Sequence, residues 1–257
     1  MRKQDWLVSI IAGILLGVVA TVLGLPGKLA IQPGRAAGSI DNVLTLILNS
    51  HTHWSTIKGE AEVTWYGPNG GTQTYINQFQ ISQPYSAYIN IINKDQPGFN
   101  EGLWISDGQK IYELDKTKKS YTENNIPDFA KKFVLMPKNL SEVSTDVVYN
   151  HPFSLLIPAP VKEYIYPEWF VQGNSTLSYQ VTGQEQVLGR DTWVVLLKTK
   201  TGETTAWIDQ ATGMILRYEQ KENGQLSEKM AFTSLEVDSS INANTFMVPA
   251  GYTLTKP

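Results

Sequence analysis

Polar and apolar residues alternate along most of this chain. In "GEAEVTWY" (59–66), Ala61, Val63 and Trp65 are separated by Glu60, Glu62 and Thr64, the period-two pattern of a strand with one wet face. "TQTYINQFQIS" (72–82) and "YSAYINII" (85–92) predict two more strands, separated by Gln83-Pro84. "LWISDGQKIYELDKTKKSYTE" (103–123) breaks into three short strands at Ser106-Asp107-Gly108 and at Asp115–Lys119, because Asp-Gly between alternating segments favours a hairpin. After Gly173 the pattern returns in "STLSYQVTGQEQVLG", "RDTWVVLLKTK", "TTAWI", "MILRYEQ" and "LSEKMAFTSLEVD". Roughly ten closely spaced strands predict one antiparallel sheet, curled around something.

Three segments depart from alternation. Ile40, Val43, Leu44, Ile47 and Leu48 follow helical spacing behind Ser39, which predicts an amphipathic helix ending near Ser50–Thr52. Pro127 and Asp128 suit a first helical turn, and Phe129, Phe133 and Met136 then share a face at i, i+4 and i+7. Residues 139–173 carry four prolines among large apolar side chains and no regular period. So long an irregular stretch reads as functional or lid-like.

The N-terminus changes the picture most. "WLVSIIAGILLGVVATVLGL", Trp6–Leu25, carries no charge, and twenty residues of helix at ~1.5 Å each span about 30 Å of hydrocarbon. The run is longer than a secretory signal's apolar region and ends in the poor cleavage site Leu23-Gly24-Leu25-Pro26. The expected organisation is a cytoplasmic head (1–5), a membrane anchor or uncleaved signal (6–25), a linker (26–38) and a β domain (39–257) on the far side of the cytoplasmic membrane. Either reading of the apolar run exports the domain.

A net charge of −3 argues against nucleic acid as partner. The absence of cysteine removes disulfides, thiol catalysis and thiolate metal sites. His51-Thr52-His53 matches no common zinc spacing and reads as solvent-facing; Gly-x-Ser-x-Gly and phosphate-loop patterns are missing. Lys116–Lys119 ("KTKK") reads as a solvated hairpin tip. The residues therefore predict neither catalysis nor a cofactor. The aromatic set stands out: seven Trp and twelve Tyr, with Trp65, Phe79, Tyr88, Trp104, Trp193 and Trp207 in predicted strands.

"VLGRDTWVVLLK", "AWIDQATGMILRYEQKENG", "FTSLEV" and "TFMVPAGY", preceded by "SDGQKIYELDKTKKSYT", resemble the LolA/LolB-like superfamily in their order and spacing. The nearest likeness is to the MucB/RseB N-terminal domain, over about Ile40–Tyr252. The resemblance implies a mainly β fold: a half-open, strongly bent barrel of about eleven strands with a helical lid. It implies an apolar cavity for a lipid or lipoprotein acyl chain. The alternative it implies is a regulatory module that binds an anti-sigma factor or another membrane protein. On this reading Trp65, Phe79, Tyr88, Trp104, Trp193 and Trp207 line the cavity, while Phe129, Phe133 and Met136 form the lid. Asp209, Thr212 and Gly213 set a tight turn, with Gly213 at positive φ.

Overall fold

The computed structural model of the chain describes residues 39–67, 69–131, 136–143, 156–171 and 177–255. The chain divides after Ala37, and the described residues belong to the second unit, Gly38–Pro257. The expected head, span and linker lie outside the described residues. Among the described residues no helix is long and apolar enough to cross a membrane.

Helix α1 (Ile40–Leu48) forms where the spacing predicts it. The Asn42 amide donates to the Ser39 side chain at 3.4 Å, and Val43, Leu44, Ile47 and Leu48 are buried on one face. A 3-10 turn, Ser50–Thr52, then leads into the sheet.

The alternating segments become β1 (Thr56–Tyr66), β2 (Thr72–Ser82), β3 (Ser86–Asn93), β4 (Gly102–Asp107), β5 (Lys110–Asp115) and β6 (Ser120–Asn125). The second run gives β7 (Ser178–Val187), β8 (Arg190–Lys198), β9 (Gly202–Asp209), β10 (Ile215–Glu222) and β11 (Gln225–Val237), with a two-residue β12 (Thr253–Leu254) at the end. They form one open, curved sheet in the order β12-β6-β5-β4-β3-β2-β1-β11-β10-β9-β8-β7. Two hairpin meanders, β1–β6 and β7–β11, are thus joined side by side through the long antiparallel pair β1–β11. The sequence predicts antiparallel pairing throughout; β12 departs from it and runs parallel to β6. At the β1–β11 seam a bulge follows Glu60, and Gly59 lies so close to the Ser234 carbonyl that no Cβ fits there.

One concave face holds the main core. Helix α3 (Val161–Ile165) and a 3-10 turn, Pro167–Phe170, lie against it as a plug. Tyr164, Ile165 and Phe170 are completely buried, and the Tyr164 ring stands 6.2 Å from Phe79 and 5.2 Å from Phe232. Residues 157–171 of the irregular, lid-like stretch are therefore largely interior filling, while 139–143 lie at the surface. The second predicted helix starts where expected: within the described residues α2 spans Asp128–Lys131, with Ala130 its one buried residue. Its expected face does not pack: Phe129 and Met136 are 58% and 66% exposed, and Phe133 lies outside the described residues.

The other face has a small core of its own. Leu103, Ile105 and Leu114, with Tyr88, Tyr112 and Tyr121 around them, are covered by Val248 and Tyr252 from the C-terminal segment. This segment reaches the sheet edge as β12, where Thr253 and Leu254 pair with Ser120 and Tyr121.

Candidate functional site: a groove on the inner face

Strand register places one transverse row of inner-face residues across the first meander: Gly59, Phe79, Ile89, Trp104, Glu113 and Thr122 stand opposite one another from β1 to β6. Side chains in such a row lie about 5 Å apart. At Phe79 the row is covered by Tyr164 of the plug. Beyond it the plug stops, and a groove of about 1080 Å³ opens over β3–β6. Ile89, Ile91 and Trp104 form its floor, and Leu156 and Pro158 form a wall at the start of the plug segment. Its volume suits a small apolar ligand.

The rim is polar. Lys116 reaches from the β5–β6 turn to the Ile91 carbonyl (3.2 Å) and the Glu101 carboxylate (3.4 Å). Lys118 pairs with Asp115 at 3.0 Å. Glu113 makes no hydrogen bond or ion pair among the described residues. A second groove, about 830 Å³, lies on the outer face beneath residues 244–250. Its walls mix Lys58, Glu60, Gln78, Gln80 and Glu236 with Leu235, Met247, Val248 and Pro249.

The predicted site residues divide by face. Trp65, Phe79, Trp104 and Trp193 point inward, and of these Trp104 reaches the groove. Phe79 is sealed beneath the plug. Trp65 packs edge-on against Tyr75 (5.1 Å) and stands opposite Glu228 across the β1–β11 pair. Tyr88 and Trp207 face outward, contrary to the expectation that all six line one cavity. Tyr88 is opposite Ile105 in the outer core, and Trp207 is opposite Val194 and Arg217. Strict alternation is the reason, since each is one residue out of phase with the inner row. The Arg217 guanidinium stacks 4.1 Å above the Trp207 ring, whose Nε1 donates to Glu185 at 2.8 Å. Ile89, Ile91, Glu113, Leu156 and Pro158 were not singled out by sequence. The alternation in "YINII" carries the signal for Ile89 and Ile91; nothing local marks the others.

Two charged clusters support the plugged half. Glu228 accepts from the Tyr218 hydroxyl, and Glu163 of α3 faces Glu228; burial, then their mutual repulsion in the case of Glu163, raises both carboxyl pKa values. His51, expected in solvent, is buried with its Nδ1 3.6 Å from Glu168. That is longer than a hydrogen bond. Burial first, then His53 and Lys138, lowers the His51 pKa to about 4, so at neutral pH this is a neutral imidazole beside Glu168 and not an ion pair. Among the described residues no group of three His, Cys, Asp or Glu side chains is arranged to hold a metal.

The turn 209–213 is scaffold. Asp209, buried, takes a bidentate pair from Arg190 (3.0 and 2.7 Å) and accepts from the Thr212 amide at 3.0 Å. Gly213 has φ +75° and lies against the Leu46 carbonyl, which leaves no room for a Cβ.

Residues 153–250 match the sequence profile of the MucB/RseB N-terminal domain, the family the hairpin order resembles. No curated protein matches the chain. Among solved structures, the crystal structure of MucB is similar at 15% identity and a TM-score of 0.46, covering 83% of this chain and 65% of MucB. MucB in the Pseudomonas aeruginosa MucA/MucB complex is similar at 14% and 0.46, over 82% of this chain and 62% of that one. A LolA superfamily protein from Nitrosomonas europaea shares 8% identity at a TM-score of 0.34, over 78% and 96% of the two chains. The chain thus spans less than two thirds of the MucB chains it matches.

Proposed function

We propose that the inner groove over β3–β6 binds the alkyl chain of a lipid or lipoprotein non-covalently, in an extracytoplasmic domain tethered to the cytoplasmic membrane by Trp6–Leu25. The observation that supports this is the uneven filling of the concave face. The plug packs against Phe79 and Phe232, while beside the buried Ile89 and Trp104 a groove of about 1080 Å³, lined also by Ile91, Leu156 and Pro158, stays open. Burying apolar ligand surface there is favourable at about 0.8 kcal/mol per methylene. The groove holds a ligand; it performs no bond chemistry.

A regulatory role fits the family profile equally well, because MucB is found in complex with MucA. In that reading the domain contacts an anti-sigma factor or other membrane protein, and groove occupancy sets the contact. The test is direct. The domain is secreted, purified without detergent, and its organic extract is compared by mass spectrometry with that of an unrelated exported protein. Stoichiometric lipid that falls when Trp104 is replaced by alanine supports the groove. A folded, lipid-free domain that copurifies with a membrane protein moves the reading to the regulatory module.

A further inference from the structure

Two hydrogen-bonding groups beneath the plug are sealed in the core with nothing to bond to. The Asn77 side chain is completely buried, and neither its oxygen nor its nitrogen has a partner; the Tyr164 hydroxyl is buried in the same state. The other two asparagines buried among the described residues are fully engaged. Asn49 donates to the Thr45 and Lys138 carbonyls and accepts from the Lys138 amide. Asn93 donates to the Phe99 carbonyl and accepts from the Asp95 and Gln96 amides. A buried amide left unbonded has given up its hydration without compensation. Asn77 therefore works against the arrangement that covers it.

Strand register shows what that arrangement is. Phe232, Ala61, Asn77 and Ile91 stand opposite one another across β11, β1, β2 and β3. At one end of this row the Tyr164 ring lies 5.2 Å from Phe232. At the other, Ile91 shares the groove wall with Leu156 and Pro158. Residues 156–164 thus run along the row, with Asn77 between the two contacts. The rest of the plug is fastened: the Tyr179 hydroxyl donates to the Phe170 carbonyl at 2.6 Å, and Trp54 packs on Tyr166 at 5.6 Å. One half of the plug is tied down, and the other strands two polar groups.

We propose that residues 156–164 are a gate at the inner end of the groove, lifting from the sheet to hydrate Asn77 and Tyr164 while residues 165–171 stay docked. Local opening of this kind is favoured where a covered polar group regains hydration on exposure. Lifting lengthens the groove from Ile91 to Ala61 and Phe79. This rests on the reading of the groove as the ligand site.

The test follows backbone amide exchange by mass spectrometry, using the full chain in vesicles of phosphatidylcholine and phosphatidylglycerol. Asn77→Val replaces the stranded amide by an apolar side chain suited to a strand. Exchange of 157–164 should slow about tenfold, exchange of 166–171 should not change, and the melting temperature should rise. Tyr164→Phe deletes only the stranded oxygen, so it cannot overpack the core, and should act in the same direction. Asn93→Val, at a paired asparagine, should lower the melting temperature. Slower exchange confined to 157–164 in either gate variant supports the gate. Unchanged or faster exchange in both, or slowing that extends equally to 166–171, overturns it. Photoreactive hexadecanol in the same vesicles tests the underlying reading: it should label β2 and β3–β4 peptides, and Asn77→Val should reduce only the β2 label. If neither is labelled in the wild type, the groove as ligand site is overturned, while the exchange data still decide whether the segment opens.

Discussion

The two meanders of the sheet solve the same problem differently. The β7–β11 half, with β1 and β2, buries its inner face beneath α1, α3 and the Pro167–Phe170 turn, where Ile47, Tyr164 and Phe170 are completely buried. The β3–β6 half buries its outer face beneath Val248 and Tyr252, and its inner face, where Ala87, Ile89 and Trp104 join the main core, borders a groove of about 1080 Å³. A curved sheet needs only one packed face per strand to be stable. The β3–β6 half thus has a second, outer core in addition to its share of the inner one, so the fold can keep a groove beside Ile91 without depending on that edge for its stability.

The largest expected effect sharpens that contrast. Phe170→Ala opens a cavity in close-packed surroundings and should cost about 3–5 kcal/mol in urea denaturation. Ile91→Ala removes a side chain that already borders empty space, so about 1 kcal/mol should be lost. Equal losses at the two positions would mean that the groove is filled by protein in solution, and the comparison would collapse.

The next effect in size concerns pH and is confined to the plugged half. His51 is protonated in the unfolded chain near 6.5 but resists protonation in the fold until about 4, because it is buried. Its contribution is therefore complete above pH 6.5 and is lost as pH falls toward 4, by up to roughly 3 kcal/mol. Glu163 and Glu228 act in the opposite sense. Their raised pKa values make the folded state hold protons that the unfolded chain releases near 4.5, so their contribution declines as pH rises above 4.5. Thermal melts from pH 4 to 8 should show both limbs. His51→Asn should flatten the acid limb and Glu228→Gln the other; a limb that survives its variant would assign the titration elsewhere.

Much of this contrast is invisible in the sequence, for a physical reason. Alternation fixes which residues share a face, so the strands, the Asp107-Gly108 turn and helix α1 are legible locally. It does not say which face the rest of the chain will cover. Tyr88 and Trp207 look like Trp65 and Trp104 in their strands, yet they point the other way; only the register across β3–β4 and β8–β9 reveals it. The plug is harder still. "PAPVKEYIYPEWF" has no period because Tyr164, Tyr166 and Phe170 leave a single-turn helix and a 3-10 turn in different directions.

The smallest effect tests whether the groove half is held by its rim. Lys116 bridges the β5–β6 turn to Glu101 and to the Ile91 carbonyl, and its side chain is about a quarter exposed. Partly solvated pairs of this kind contribute little, because solvent screens the attraction and a long side chain must be immobilised. Lys116→Met keeps the methylene stem against the strand edge and removes the charge, so the stability loss should stay below about 1 kcal/mol. Backbone amide exchange of β3 and β5 should be nearly unchanged, since the outer core of Leu103, Ile105 and Leu114 remains intact beneath them. A loss above about 2 kcal/mol, with faster exchange along β3, would show that the rim and not the outer core organises these strands. The open face would then be stabilised from the inside, and the division of labour between the two faces would be wrong for this half of the sheet.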